Sequence, residues 1–172
     1  MSSSFYSESV KLTDGYTLYL QIDNIDLSVH RYYDFTTKYI DSSENAGYDL
    51  LTGETWCGNV GEKAHLLDLG VRAMLIDNST KKPVHYWLLP RSSVFKTGHM
   101  MANSVGVIDS SYRGVLRAPV IRTVVDETTP GFLKYDRHFQ IVAPNMGNIN
   151  AVIRVSSLPS SERGDGGFGS TG

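Results

Sequence analysis

The sequence predicts an all-β protein, a compact barrel or jelly roll, on three observations. Apolar residues come in short blocks rich in Val, Ile, Leu and aromatics. Turn-forming residues separate those blocks. No long segment combines helical spacing with strong caps.

The first block, 16–22, reads Tyr-Thr-Leu-Tyr-Leu-Gln-Ile and alternates as a strand with one buried face does. Blocks at 66–76, 84–89, 105–108, 115–125, 138–143 and 151–155 continue the pattern. The punctuation between them is Asp77-Asn78-Ser79-Thr80, Thr128-Thr129-Pro130-Gly131 and Pro144-Asn145-Met146-Gly147-Asn148, all of it turn chemistry. Residues 1–155 are expected to form the β domain and 156–172 a flexible arm. No internal repeat is evident.

The 172 residues and 19.0 kDa suit one domain with a real core and are too few for two of ordinary size. A formal charge of −2 and a pI near 6.2 give no general attraction to a nucleic-acid backbone. A phosphate ligand must therefore be met locally, which favours a nucleotide over a polymer. Cys57 is the one cysteine, so no intramolecular disulfide forms and a reducing setting fits. No basic segment precedes an apolar run near Met1, and no stretch has the length of a membrane span. The expectation is a soluble intracellular protein, cytoplasmic or nuclear, with neither a nucleic acid nor a membrane as partner.

Polar residues interrupt the blocks in compact groups. Ala46-Gly47-Tyr48-Asp49-Leu50 puts a carboxylate where a strand should begin, in the manner of a turn, a cap or a functional group. Pro90-Arg91-Ser92-Ser93 closes a strand with a rigid turn, a guanidinium and two hydroxyls; it is either a plain strand end or a phosphate contact. Gly106-Val107-Ile108-Asp109-Ser110-Ser111-Tyr112-Arg113-Gly114 reads as a hairpin turning around 109–111. Such a hairpin is structural, or it offers backbone N–H and C=O groups to the edge of a planar base. Asp136-Arg137-His138-Phe139-Gln140 puts a basic and an amide side chain at the start of another strand.

The chain closes on Arg163-Gly164-Asp165-Gly166-Gly167-Phe168-Gly169-Ser170-Thr171-Gly172. One reading is a disordered end. The other is a lid, in which glycines let N–H groups converge on phosphate oxygens, Arg163 pairs with them, Ser170 and Thr171 donate, and Phe168 stacks on a base. A lone P-loop is excluded, since no Lys follows the glycines.

In this order the five groups resemble the motifs of the trimeric deoxyuridine triphosphatases: A-G-x-D-L, P-R-S-G/S, G-x-I-D-x-x-Y-x-G, G-x-R-x-A-Q and R-G-x-G-G-F-G-S-T-G. Each alone is weak; five in sequence are specific, the fifth most of all. The resemblance implies a distorted jelly-roll or β-barrel fold of the β-clip kind and Mg²⁺-dependent hydrolysis of dUTP to dUMP and pyrophosphate. It also implies a homotrimer whose sites take motifs one, two and four from one subunit, three from a second and five from a third.

Residue by residue, the resemblance makes Asp49 an outer-sphere partner of Mg²⁺ through water, and Arg91, Ser92, Ser93 and Gln140 phosphate contacts. Asn103 through Ile108, with Gly106 and Val107, would read the uracil edge. Asp109 would bind the sugar 3′-hydroxyl and activate water, and Tyr112 would pack on the deoxyribose. Arg163 would meet the γ-phosphate, Phe168 would stack on uracil, and Gly169, Ser170 and Thr171 would close the site. Tyr135 and Phe139 depart from the family's Gly and Ala, and Arg117-Ala118-Pro119 replaces its usual Asn or Gly. Two rivals remain. A deoxycytidine triphosphate deaminase of the same fold needs a glutamate near the base, and a nucleotide-gated regulatory protein would use the lid as a switch. The five histidines are scattered, which argues against a zinc site.

Overall fold

The computed structural model describes residues 13–23, 31–40, 45–126, 128–162, 164 and 166. In chain order the strands are β1 (Tyr16–Ile22), β2 (Thr37–Tyr39), β3 (Gly47–Leu50), β4 (His65–Asp68), β5 (Val71–Asp77), β6 (Lys82–Val84), β7 (Tyr86–Pro90), β8 (His99–Met101), β9 (Gly106–Ile108), β10 (Arg117–Arg122), β11 (Phe139–Val142) and β12 (Ile149–Val155). A 3-10 helix, Ser92–Thr97, joins β7 to β8. The strands form three sheets, ordered β2-β12-β1-β5-β6, β4-β10-β8 and β3-β11-β7-β9. The expected all-β jelly roll is the observed architecture. Among the described residues no helix is long and apolar enough to cross a membrane.

β1 occupies the predicted span and shows why it alternates. It pairs in parallel with β12 and antiparallel with β5, sending Leu18 and Leu20 into the main core and Tyr19 to the opposite face, where Met74 and Ile76 cover it. The predicted block 66–76 is in fact two strands in two sheets. Gly70, at φ 66°, turns the chain between them, and the Asp68 carboxylate accepts its N–H at 2.6 Å. The block 84–89 likewise divides between β6 and β7. β2 and β8 are three residues each, too short for periodicity to register.

The irregular stretch 51–62 acquires a role as the partner of 132–136. Trp56 and Phe132 exchange backbone hydrogen bonds of 2.9 and 2.8 Å, and the buried Thr52 Oγ1 donates to Leu133 O at 2.5 Å. The Thr52 carbonyl accepts the N–H of Tyr135 at 2.8 Å. That bond matters because Tyr135 has φ 75°, a left-handed conformation costing a non-glycine residue about 1–2 kcal/mol. The departure from the family's glycine is thus a side chain held in a glycine conformation by its neighbours.

A ladder of rings runs through this region. Trp56 stacks on His65 at 4.6 Å and 9°, and His99, Phe132, His138 and Phe139 follow at 5.1 to 5.7 Å. His99 is 3 % exposed; its Nδ1 donates to Thr97 O at 2.7 Å and its Nε2 is buried with no protein partner. Burial, the largest cause, holds the imidazole pKa below its ordinary 6.5; the Thr97 hydrogen bond opposes that shift and the Arg122 charge adds to it. His138 is lowered for the same leading reason, against an Asp136 carboxylate that raises it.

The sign of the pH effect follows. A base whose folded value is depressed stays neutral in the fold and charges in the unfolded chain, so stability is complete above 6.5 and is lost as pH falls below it. His99→Phe keeps the ring and removes the titration. Thermal melts at pH 7.5 and 5.0 should therefore differ less for His99→Phe than for the parent chain, and an equal difference would remove His99 as a cause.

Candidate active site

Three of the predicted motifs meet on adjacent strands. β11 is central: Gln140 pairs with Asp49 of β3 on one side and with Leu89 of β7 on the other. One step along, Arg91 N–H donates to His138 O at 2.8 Å. Asp49 receives Arg91 Nε on Oδ1 at 2.9 Å and Arg137 Nη1 on Oδ2 at 3.5 Å. Arg91 Nη1 also bonds Arg137 O at 2.8 Å, and Ser93 Oγ lies 3.2 Å from His138 Nδ1. Two guanidinium groups against one carboxylate leave a net positive charge beside an amide, a set that suits phosphate oxygens. Ser92 is exposed at the start of the 3-10 helix.

Gly47 explains the closeness of β3 to this group. A Cβ there would fall 2.2 Å from Gln140 Oε1 and 3.1 Å from Val142 Cγ2, so only glycine lets the amide lie across the strand. Arg137 lies within the fourth motif without being one of its expected site residues; its part appears only when β11 brings it to Asp49.

The predicted hairpin forms a second group. β9 pairs with β7 through Tyr86–Ile108, Trp87–Val107 and Leu88–Gly106. A cavity of about 170 Å³ opens there, lined by Asn103, Gly106, Val107, Ile108, Asp109 and Tyr112, with Leu88, Met101, Leu116 and Arg117 behind them. Gly106 sits tightly on β7, where a Cβ would lie 3.1 Å from Leu88 Cβ. Tyr112 closes the 109–112 turn by donating N–H to Asp109 O at 3.0 Å, and its hydroxyl donates to Val115 O at 3.0 Å. Gly114 leaves room for that hydroxyl, since a Cβ there would stand 2.3 Å from it.

Opposite Asp109 stands His85, which no motif marks because only the register reveals it. Its Nδ1 accepts the Ser110 N–H at 3.2 Å and lies 3.4 Å from Asp109 Oδ1. Arg163, Phe168, Gly169, Ser170 and Thr171 lie outside the described residues.

The two groups are far apart within the chain. Asp109 stands level with position 85 and Arg91 six residues further along the same strand direction, about 20 Å at roughly 3.3 Å per residue. None of Arg91, Ser92, Ser93 and Gln140 lines the cavity.

Gly47→Ala tests the strand contact. The new methyl must expel the Gln140 amide, so nucleoside triphosphate affinity should fall by roughly tenfold, the worth of one charge-assisted contact. Calorimetric titration reads this, and unchanged affinity would show that Gln140 makes no ligand contact.

The dUTPase family model matches residues 34–172. The deoxyuridine 5′-triphosphate nucleotidohydrolase of Thermobifida fusca is 35% identical over 130 residues, covering 74% of this chain and 68% of that protein. Among solved structures, the dUTPase of Staphylococcus bacteriophage 80alpha with dUPNHPP aligns at TM-score 0.52 and 20% identity, over 91% of this chain and 98% of that one. A mutant dUTPase from phage phi11 of S. aureus, described with a structural Mg(II) ion, aligns at 0.51 and 18%, over 85% and 97%. With the motifs on adjacent strands, the fold alike and the family model spanning most of its length, this chain belongs to the dUTPase family.

Proposed function

We infer that this protein is a dUTP diphosphatase, which hydrolyses dUTP to dUMP and pyrophosphate. In a cell that reaction limits uracil incorporation into DNA and supplies dUMP for thymidylate synthesis. The observation that carries the reading is the placing of Asp49 and Gln140 on the paired strands β3 and β11, with Arg91 just past the end of β7, in the sheet whose fourth strand forms the hairpin cavity.

The residues divide the work. Backbone groups between Asn103 and Ile108 meet the edge of the base, and Gly106 lets β9 lie close against Leu88 of β7 at the cavity. The Tyr112 ring packs on the deoxyribose, where a 2′-hydroxyl would collide. Asp109 accepts a proton from water as its oxygen forms a bond to the α-phosphorus. The bond from that phosphorus to the bridging oxygen breaks, and pyrophosphate departs with the electron pair. Arg91, Ser92, Ser93 and Gln140 hold phosphate oxygens, joined by Arg163, while Phe168 covers the base with Gly169, Ser170 and Thr171 around it. Among the described residues no glutamate lines the cavity, which disfavours the deaminase rival.

The donor set fits Mg²⁺ in the outer sphere. Both Asp49 oxygens already face guanidinium groups, and a carboxylate retains lone pairs enough to accept from waters around a cation held by the triphosphate. When bound, the ion neutralises charge on the departing phosphates.

The separation of Asp109 from Arg91 supports a shared site. About 20 Å along one strand is longer than a triphosphate, which supports a site that takes its hairpin from one chain and its phosphate cluster from another. The assembly is a homotrimer with shared active sites.

Purified protein with Mg²⁺ should release pyrophosphate from dUTP and hardly at all from dTTP, dCTP or UTP. Ammonia from dCTP, or no pyrophosphate from dUTP, would overturn the reading. Asp109→Asn should lower kcat about 10²–10⁴-fold with binding largely kept. Mixed after dissociation, Asp109→Asn and Arg91→Ala chains should regain activity that neither has alone; continued inactivity of well-mixed assemblies would place each site within a single chain.

A further inference from the structure

Arg113 has no part in the reaction just derived, yet it joins two pieces of chain on which that reaction draws. Its Nη1 donates to Ser110 O at 2.8 Å and Tyr112 O at 2.7 Å, gripping the turn that follows Asp109. Nε donates to Pro159 O at 3.0 Å, and the backbone N–H donates to Gly164 O at 2.9 Å. Beside it, Ser161 Oγ donates to Ser111 O and accepts the Gly164 N–H at 3.1 Å. Pro159, Ser161 and Gly164 are thereby bonded to the back of the hairpin.

Both sides are anchored to the barrel. Leu158 packs on the cluster of Tyr19, Met74 and Ile76, and its N–H donates to Gln21 Oε1 at 3.0 Å. The Arg113 carbonyl accepts Arg72 Nη1 at 2.8 Å, and Arg72 Nε pairs with Asp23 at 2.9 Å. Arg113 Nη2 lies 3.3 Å from Met74 Sδ.

We propose that Arg113 is a positioning residue that ties the root of the carboxy-terminal segment to the turn carrying Asp109 and Tyr112, so that one side chain sets both the turn and the point from which the last residues start. The proposal rests on the reading of this chain as a dUTP diphosphatase with a covering tail. The planar guanidinium matters because its donors diverge towards Pro159 on one edge and Ser110 and Tyr112 on another; a lysine ammonium on a flexible stem holds no such fork. Position matters because residues 164–172 extend at most about 30 Å. A root held at the hairpin keeps the tail at high effective concentration over any site within that reach, and a loose root dilutes it.

The test uses full-length protein and two readouts. Trypsin cuts after Arg163, and mass spectrometry follows release of residues 164–172. Arg113→Lys and Arg113→Ala should speed that release about tenfold and lower kcat/KM for dUTP by a similar factor. Ser161→Ala should move both in the same direction by less, and it carries the test with Arg113→Lys if Arg113→Ala fails to fold. In chains ending at Glu162, which keep the Pro159 bond and lack the tail, Arg113→Ala should lower the residual kcat/KM by clearly less than in the full-length chain, because only the grip on the turn is left to lose. An unaltered tryptic rate overturns the proposal. So does an equal loss of kcat/KM in truncated and full-length chains, which would confine Arg113 to the hairpin. A parent chain inactive on dUTP would sink the functional reading while the proteolysis still decides the tie.

Discussion

The two-sided pairing of β11 is the constraint on which the site depends. Phe139 and Ile141 point into the core with no exposed surface, and Gln140 between them points to the opposite face. A slip of one residue would bury the amide and expose a Phe and an Ile, at about 1.5–3 kcal/mol for each. The register is therefore held by apolar side chains remote from any ligand. It sets Gln140 against Asp49 on β3, fixes Arg91 by its backbone to His138, and brings Arg137 to the Asp49 carboxylate. The polar groups inherit their geometry from the hydrophobic ones.

Much of this was legible in the sequence, for reasons that differ by residue. The alternation of 16–22 marked β1 because one face meets the core and the other a smaller cluster. The motifs carrying Asp49, Arg91, Asp109 and Gln140 were legible because they stand in an order that resembles one family, although none of them is specific alone. The division of 66–76 into two strands was not, since one apolar block reads alike whether or not Gly70 turns it. The pairing of 51–56 with 132–136 was hidden because its bonds are backbone bonds and a single threonine hydroxyl. His85 and Arg113 act through positions opposite or far along the chain, which no local pattern encodes.

The departures from the family pattern also have physical accounts. Phe139 fills the core beside Phe132 at the end of the ring ladder, where a small residue would leave space. Tyr135 keeps the left-handed turn that a glycine would take without cost, braced by the Thr52 carbonyl on its N–H. Both changes lie on the core or turn side of motif four and leave the Gln140 face as the register sets it. Arg117 is different in kind, because it adds a cation to the lining of the cavity itself.

The cavity and the phosphate cluster stand apart on one sheet, and that separation has a meaning for small molecules. A bare nucleoside would meet the hairpin cavity alone, whose described lining comes from residues between Leu88 and Arg117. On the shared site proposed above, a compound bearing phosphates would be read across a boundary between chains. Inhibitors of the first kind would compete for a pocket, while those of the second would also act as a glue, their binding free energy adding to the stability of the subunit contact.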